Sequence, residues 1–131
     1  MVIVDSSVWI DLLNRKATPE TAWLLSERHN QPIGLTSLTL AEVLQGIRAD
    51  RHFRVAQEQF QSMPVFQSVT SALAIQSARN YRALRSLGVT VRGTVDCLLA
   101  TFCIEYGHRL LHCDADFVPF ERELGLKVVH P

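Results

Sequence analysis

The 131-residue sequence has few cysteines and no long apolar run. Cys97, Cys103 and Cys113 are odd in number and lack C-x-x-C spacing, so neither a disulfide framework nor a zinc knuckle is supported, and buried reduced thiols are expected. No stretch approaches the ~20 apolar residues that cross a bilayer. No basic region precedes the first apolar stretch, so no signal peptide is predicted. We therefore expect a cytoplasmic protein with no membrane partner.

An excess of charge of either sign is also missing, because 13 basic residues balance 13 acidic ones. Zero net charge argues against a protein that binds along a polyanion through overall positive charge alone. The distribution is nevertheless uneven, and nearly all the basic residues are arginine. Guanidinium forks suit phosphate oxygens, although two solvated helix faces explain the same pattern. Between residues 48 and 92, two acids, Asp50 and Glu58, stand against seven arginines, at positions 48, 51, 54, 79, 82, 85 and 92.

Short apolar runs alternate with helical patterns along the whole chain, and no repeat or linker divides it. A single domain over residues 1–131 is therefore predicted. Strands that alternate with helices predict an α/β fold with a parallel sheet and helices on both faces. Strands are predicted at about 2–4, 33–37, 65–66, 109–113 and 126–129, and helices after Ser6-Ser7 and at about 18–29, 38–47, 53–63, 71–87, 95–106 and 117–124.

Four carboxylates fall where a predicted strand ends or the next helix begins: Asp5, Glu42, Asp96 and Asp114. Each has a structural explanation of its own. Asp5 and Asp114 suit helix N-caps, Thr39 to Glu42 matches a T-x-x-E capping box, and Asp96 suits the first turn of a helix. Because the carboxyl ends of parallel strands share one edge, the four side chains are also expected to converge there.

Carboxylates that converge raise one another's pKa unless a positive charge lies among them. Mg²⁺ and Mn²⁺ supply that charge and take carboxylate oxygens as ligands. A metal held by acids suits phosphodiester hydrolysis, because it polarises a phosphoryl oxygen and activates water. The pattern therefore indicates a metal-dependent nuclease whose arginines position a nucleic-acid backbone.

Four segments carry a family resemblance: VDSSVWIDLL, TSLTLAEVLQGI, TVDCLLATFCIEYGHRLLHCDADF and LGLKVV. They resemble the PIN-domain ribonucleases, above all the VapC toxins of toxin–antitoxin pairs. The resemblance covers essentially the whole chain, and residues 48–71 are its least diagnostic part. It implies a PIN-like, RNase-H-like three-layer α/β/α fold and a Mg²⁺-dependent endoribonuclease toxin that cuts tRNA or ribosomal RNA. It also implies a Mg²⁺ site, open to Mn²⁺, built from Asp5, Glu42, Asp96 and Asp114, with Asp116 as an auxiliary acid.

The resemblance also implies partners and neighbouring roles. A cognate VapB-type antitoxin would wrap the toxin and place a basic side chain in the acidic pocket, homodimers would form, and promoter DNA would be bound only through the antitoxin. Trp23-Leu24 with residues 53–60 is a candidate antitoxin groove, or ordinary core. Ser6 is similar to the hydroxyl residue beside the first aspartate, and His112 stands where many relatives have Thr or Ser. Phe117 matches an aromatic core position.

Three other functions share part of this pattern. A haloacid-dehalogenase phosphatase would need D-x-D, but Ser7 occupies the second acidic position. A response-regulator receiver would need paired acids after the first strand, and Asp5 has no acidic neighbour. The stronger alternative is a catalytically inactive PIN-like module that acts by binding a partner. Such a module should take up no Mn²⁺ through these acids, whereas the nuclease should lose uptake on Asp96→Asn.

Overall fold

Five short strands form one parallel sheet in the order β3-β2-β1-β4-β5 in a computed structural model that describes residues 1–131. The pairing is in register from Val2, which lies between Ile33 on one side and Arg109 on the other. The parallel α/β prediction is confirmed. The strands are β1 (Val2–Val4), β2 (Ile33–Thr36), β3 (Val65–Phe66), β4 (Arg109–Leu111) and β5 (Lys127–Val128).

Seven α-helices and one 3-10 turn connect and flank these strands. Most begin at a residue whose side chain caps the first turn. Thr18 caps α2, with Pro19 in the first helical position as predicted. The helices are α1 (Ser6–Leu13), α2 (Pro19–Glu27), α3 (Ser37–Gln45), α4 (Asp50–Gln61), α5 (Ser71–Ser86), α6 (Thr94–Tyr106) and α7 (Val118–Leu124), and the 3-10 turn is Ala115–Phe117.

Two hydrophobic cores lie on opposite faces of the sheet. Successive residues of a strand point to opposite faces, so Val2 and Val4 pack in one core and Ile3 in the other. The core around Ile3 includes residues of α5, α6 and α7, and the core around Val2 and Val4 includes residues of α1 to α4. This arrangement confirms the three-layer α/β/α prediction. None of the helices is long and apolar enough to span a membrane.

Several predicted boundaries are wrong by a few residues. Helix α4 begins at Asp50 rather than Phe53, and its N-cap residue Ala49 makes no side-chain cap, so the sequence carries no clear start signal there. Helix α2 ends at Glu27, two residues before the predicted end. Strand β4 stops at Leu111 because the Cys113 N–H, predicted to belong to the strand, donates instead to the Ser7 hydroxyl at 3.1 Å.

The prediction of buried thiols holds for two of the three cysteines. Cys97 and Cys103 are buried, and all three are unbridged. Cys113 is exposed, because the chain has already left the sheet two residues earlier. The expectation for Cys113 was therefore wrong.

Helices α5 and α6 pack against each other through a buried polar contact as well as apolar side chains. The Asn80 amide donates to the Thr101 hydroxyl at 3.0 Å and accepts from the Gln76 amide at 3.0 Å. Gly88 takes a left-handed conformation (φ 79°) just after α5, as the predicted helix end requires. The bond between Asn80 and Thr101 fixes α6, which carries Asp96, relative to α5.

Candidate functional site

The predicted acids lie at the carboxyl edge of the three central strands. Asp5 follows β1, Glu42 lies on the helix after β2, and Asp114 lies three residues beyond β4. The chain runs from β1 outward through β2 and β3 and then returns to the other side of β1 to form β4. In an open α/β sheet this reversal of strand order leaves a crevice that binds ligands.

Asp5 caps helix α1 with only one of its two carboxylate oxygens. Its Oδ2 accepts hydrogen bonds from the Ser7 N–H at 3.0 Å and the Ser7 hydroxyl at 2.6 Å. Its Oδ1 is buried and has no hydrogen-bond partner in the protein. The N-cap interpretation is therefore correct but incomplete, because it leaves a buried acceptor free.

Ser7 is a site residue that the sequence reasoning missed. Its hydroxyl binds Asp5 and also accepts the Cys113 N–H, so it joins the end of β1 to the segment after β4. The signal was present as an aspartate N-cap followed two residues later by a serine, a spacing that favours local side-chain bonds. Ser6, the hydroxyl expected beside Asp5, instead faces Glu42: burial raises the pKa of Glu42, and the Ser6 hydroxyl offsets part of that rise.

Glu42 does not belong to a capping box, and that interpretation is corrected. Helix α3 is capped by Thr36, which accepts the Thr39 N–H at 3.2 Å, so Thr39 already lies inside the first turn. The segment offers two threonines, and only Thr36 has the extended backbone of an N-cap. Glu42 is left with a buried Oε1 that has no hydrogen-bond partner in the protein.

Asp96, Asp114 and Asp116 form the tightest group of acids. One oxygen from each lies within 4.8 Å of an oxygen of the other two. Asp114 Oδ1 accepts the Asp116 N–H at 2.9 Å and caps the 3-10 turn, as the N-cap interpretation predicts. Asp96 lies in the first turn of α6, where the helix dipole favours an acid. Asp5 and Glu42 lie outside this group of three.

The five acids nevertheless share one electrostatic environment. The pKa of Asp96 is raised to about 7, first by burial and then by the charges of Asp5, Asp114, Glu42 and Asp116. Burial also raises the pKa of Glu42, with a further rise from Asp5. The pKa of Asp5 is raised by burial and lowered in part by its bonds to Ser7. The carboxylates therefore converge as predicted.

No protein cation neutralises this cluster. The three salt bridges of the chain involve none of the five acids. His112 is the neighbouring basic residue, and its Nδ1 accepts the Asp114 N–H at 3.1 Å. Burial lowers the pKa of His112, so its ring stays neutral near pH 7. Its ring packs 4.9 Å from that of Phe117, which is fully buried as expected.

The side chains of this edge fit a hard divalent cation. Two carboxylate oxygens, on Asp5 and Glu42, are buried without a partner and are available as ligands. His112 Nε2 is also buried without a partner, but it carries the hydrogen of the neutral ring because Nδ1 accepts the Asp114 N–H. No soft ligand set competes. His108 and His112 have the four-residue spacing of a helical zinc site, but β4 lies between them and separates them to its two ends.

An apolar groove lies away from the acids, between α1, α2 and the end of α4. It encloses about 580 Å³, and Leu24 and Phe60 line it as expected. Trp23 and Phe53, the other residues predicted for the antitoxin groove, do not line it. Trp9 does, and its indole N–H is buried without an acceptor in the protein.

Comparisons with known proteins agree with this architecture. The family model for the PIN domain matches residues 2–122. Ribonuclease VapC11 of Mycobacterium tuberculosis is 32% identical over 131 residues, which cover 97% of this chain and 96% of the relative.

Solved structures share the fold at lower identity. VapBC2 from Rickettsia felis, bound to a DNA fragment from its promoter, superposes with a TM-score of 0.78 at 17% identity, covering 98% of both chains. DNA-bound VapBC from Salmonella typhimurium gives a TM-score of 0.74 at 19% identity, covering 98% of this chain and 96% of the other. The match over nearly the whole sequence shows that this chain belongs to the PIN-domain family and, within it, to the VapC ribonucleases.

Proposed function

We propose that this protein is a Mg²⁺-dependent endoribonuclease toxin that hydrolyses phosphodiester bonds in RNA and is neutralised by a VapB-type antitoxin. One observation carries the proposal: five acids converge at one sheet edge, no basic side chain pairs with them, and Asp5 Oδ1 and Glu42 Oε1 are buried without partners. An arrangement this costly is tolerable when a cation binds it.

The five acids would divide the work at the site. Asp96, Asp114 and Asp116 would hold the cation, and the free oxygens of Asp5 and Glu42 would hold it or orient its water. When bound, such a cation polarises a phosphoryl oxygen and lowers the pKa of water. Asp96 must lose its proton before it can bind a metal, so metal affinity should rise with pH through about 7.

Neighbouring residues that are not acids hold two of these carboxylates in place. The Ser7 hydroxyl fixes Asp5 Oδ2 and turns Oδ1 away from the cap, and the neutral His112 ring fixes the backbone of Asp114. Both contacts are made by residues that carry no charge, so they orient the acids without neutralising them. The site is therefore organised before any ligand arrives.

Metal uptake separates the nuclease from an inactive binding module. Titration of Mn²⁺ into wild type should show saturable binding, and Asp96→Asn should lose it while keeping the wild-type circular dichroism spectrum. Wild type that takes up no Mn²⁺, or Asp96→Asn that takes it up unchanged, would favour the binding module.

The substrate test maps cut sites directly. Total RNA is collected after brief expression of wild type or Asp96→Asn, and new 5′ ends are sequenced. We expect discrete new ends in tRNA or ribosomal RNA with wild type and none with the variant. Identical end maps would remove Asp96 from the reaction.

An antitoxin partner is supported by the neighbours and by the apolar groove. The structures of similar fold include VapBC complexes, two of them bound to DNA. The groove beside α2 offers exposed Leu13 and Leu25 and the unpartnered Trp9 N–H, which suits an apolar helix that brings one acceptor. Homodimers, and promoter binding through the antitoxin alone, belong to the same proposal.

A further inference from the structure

Helix α5 presents three arginines that the fold leaves without acidic partners. Arg79, Arg82 and Arg85 are exposed and follow each other at three-residue intervals, so they form one stripe about 9 Å long. None of the three takes part in a salt bridge, and the helix contains no acidic residue. A stripe of unpaired guanidinium groups attracts phosphates.

The stripe borders a groove between α5 and the start of α6. The groove encloses about 540 Å³ and has an apolar floor that includes Val69 and Leu98. Arg82, Arg85 and Tyr81 line its α5 side. Tyr81 is 36% exposed, and the Arg85 guanidinium lies 5.7 Å from its ring centroid. A tyrosine face beside arginines on an apolar floor is the combination that stacks unpaired bases.

The groove reaches the element that carries the acid cluster. Thr94 lines it and is the first residue of α6, and Asp96 lies two residues further along the same helix. Because residues two apart face opposite sides of a helix, a strand leaving the groove would pass over the first turn of α6, a width of about 10 Å, to reach the acids. We infer that the groove between α5 and α6 seats single-stranded RNA on one side of the cut, with phosphates on the arginine stripe and a base against Tyr81. This inference rests on the proposed ribonuclease function.

The charge pattern disfavours a second copy of the chain as the occupant. A two-fold interface places the same patch of both subunits together. Centred on this stripe, it would bring Arg79, Arg82 and Arg85 of both copies together with no acid on either helix to pair with them. An anionic, unpaired strand satisfies both the arginines and the aromatic ring.

Binding is measured without cleavage, in EDTA, by fluorescence anisotropy of a labelled 12-nucleotide single-stranded RNA of mixed sequence. The double variant Arg82→Gln/Arg85→Gln should bind at least about tenfold more weakly. Its slope of log affinity against log salt should fall by about 1.4, because two phosphate contacts are lost. The matched control, Arg51→Gln/Arg54→Gln on α4, removes the same charge from the opposite layer and should stay within about twofold of wild type.

Variants of Tyr81 separate the contribution of base stacking to RNA binding from the contribution of charge. Tyr81→Ala should weaken binding about 5- to 100-fold, while Tyr81→Phe keeps the ring and stays close to wild type. Equal RNA affinity in wild type and Arg82→Gln/Arg85→Gln would overturn the inference. So would a groove variant that changes only the monomer–dimer equilibrium in sedimentation.

Failure of the groove and failure of the catalytic proposal are distinguishable. Mn²⁺ uptake depends on the acids and not on the arginines, so Arg82→Gln/Arg85→Gln should keep wild-type uptake. Normal Mn²⁺ uptake with unchanged RNA binding in that variant would overturn the groove alone. Wild type that binds RNA through the groove but takes up no Mn²⁺ would overturn the nuclease and leave the groove standing.

Discussion

Asp5 serves the fold and the site with different oxygens of one carboxylate. Oδ2 receives two bonds from Ser7 and starts α1, while Oδ1 stays buried and free. Asp114 likewise caps its 3-10 turn through Oδ1 and still belongs to the group with Asp96 and Asp116. The capping and catalytic interpretations therefore do not exclude each other, because a carboxylate has two oxygens and each can accept more than one bond.

Replacement of Asp5 should separate these two roles. Asp5→Asn keeps an acceptor for the Ser7 N–H, so we expect near wild-type stability with loss of RNA cleavage. Asp5→Ala also removes the cap and should lose about 1 kcal/mol of unfolding free energy in addition to cleavage. Urea denaturation and a cleavage assay on total RNA measure the two effects. Undiminished cleavage by Asp5→Asn would exclude Asp5 from the chemistry.

Asp96 should destabilise the metal-free protein as pH rises. Its folded pKa of about 7 lies above the ordinary 3.8, so the folded state holds this proton more tightly than the unfolded chain does. The stabilisation that the protonated Asp96 gives the folded state is therefore fully present below about pH 4, and it is lost as the pH rises toward 7. In EDTA, Asp96→Asn should exceed wild type by about 1–2 kcal/mol at pH 8, with screening allowed for, and by less at pH 5.

Thermal melts of both proteins at the two pH values test this expectation. Added Mn²⁺ should raise the Tm of wild type at pH 8 and leave that of Asp96→Asn unchanged, because only wild type binds the ion. A variant less stable than wild type at pH 8 without metal would mean that Asp96 acts mainly as a helix-start residue.

Among the helices, the position at which α3 begins determines that Glu42 is not used as a cap. Because Thr36 caps the helix from the end of β2, Glu42 is left one turn inside with a buried oxygen. Helix α6 begins with Gly93, which offers no side-chain cap, and its first turn instead holds Asp96. Both helices thus deliver an acid to the sheet edge, and for Asp96, in the first turn of α6, the helix dipole favours the ionised form.

Thr36 and Glu42 should respond oppositely to substitution. Thr36→Val removes a fully buried cap and should lose about 1–2 kcal/mol of unfolding free energy. Glu42→Gln caps nothing and should leave the metal-free protein at least as stable as wild type, while Mn²⁺ uptake falls. Urea denaturation in EDTA makes the comparison. A marked stability loss in Glu42→Gln would restore the capping-box interpretation.

At the scale of the whole molecule, three surfaces divide between the two helical layers and the sheet edge. The acids lie at the carboxyl edge, the arginine stripe on α5 lies in one layer, and the apolar groove beside α2 lies in the other. Substrate and antitoxin can therefore be tested with separate variants. Net charge is zero, so this separation, and not overall charge, would direct each partner.

Leu25 should matter for the antitoxin and not for cleavage. It is 48% exposed on the groove beside α2, so Leu25→Glu should leave folding and RNA cleavage unchanged. Calorimetric titration with the cognate antitoxin should show binding at least about tenfold weaker. Leu87→Glu, at an exposed position after α5, is the matched control and should bind normally. Equal antitoxin affinity in wild type and Leu25→Glu would move the interface elsewhere.

The alternation of short apolar runs with helical patterns was enough to predict a parallel sheet, and with it the gathering of Asp5, Glu42, Asp96 and Asp114 at one edge. These features follow from periodicity and chain order, which are local. Four features could be read only from the folded chain: Ser7 holds Asp5, Thr36 and not Thr39 caps α3, Asp116 joins the tightest group of acids, and Cys113 is exposed. Each of these depends on which hydrogen bonds form once distant segments pack together. A local sequence pattern allows several hydrogen-bond partners of similar energy, so it cannot select among them.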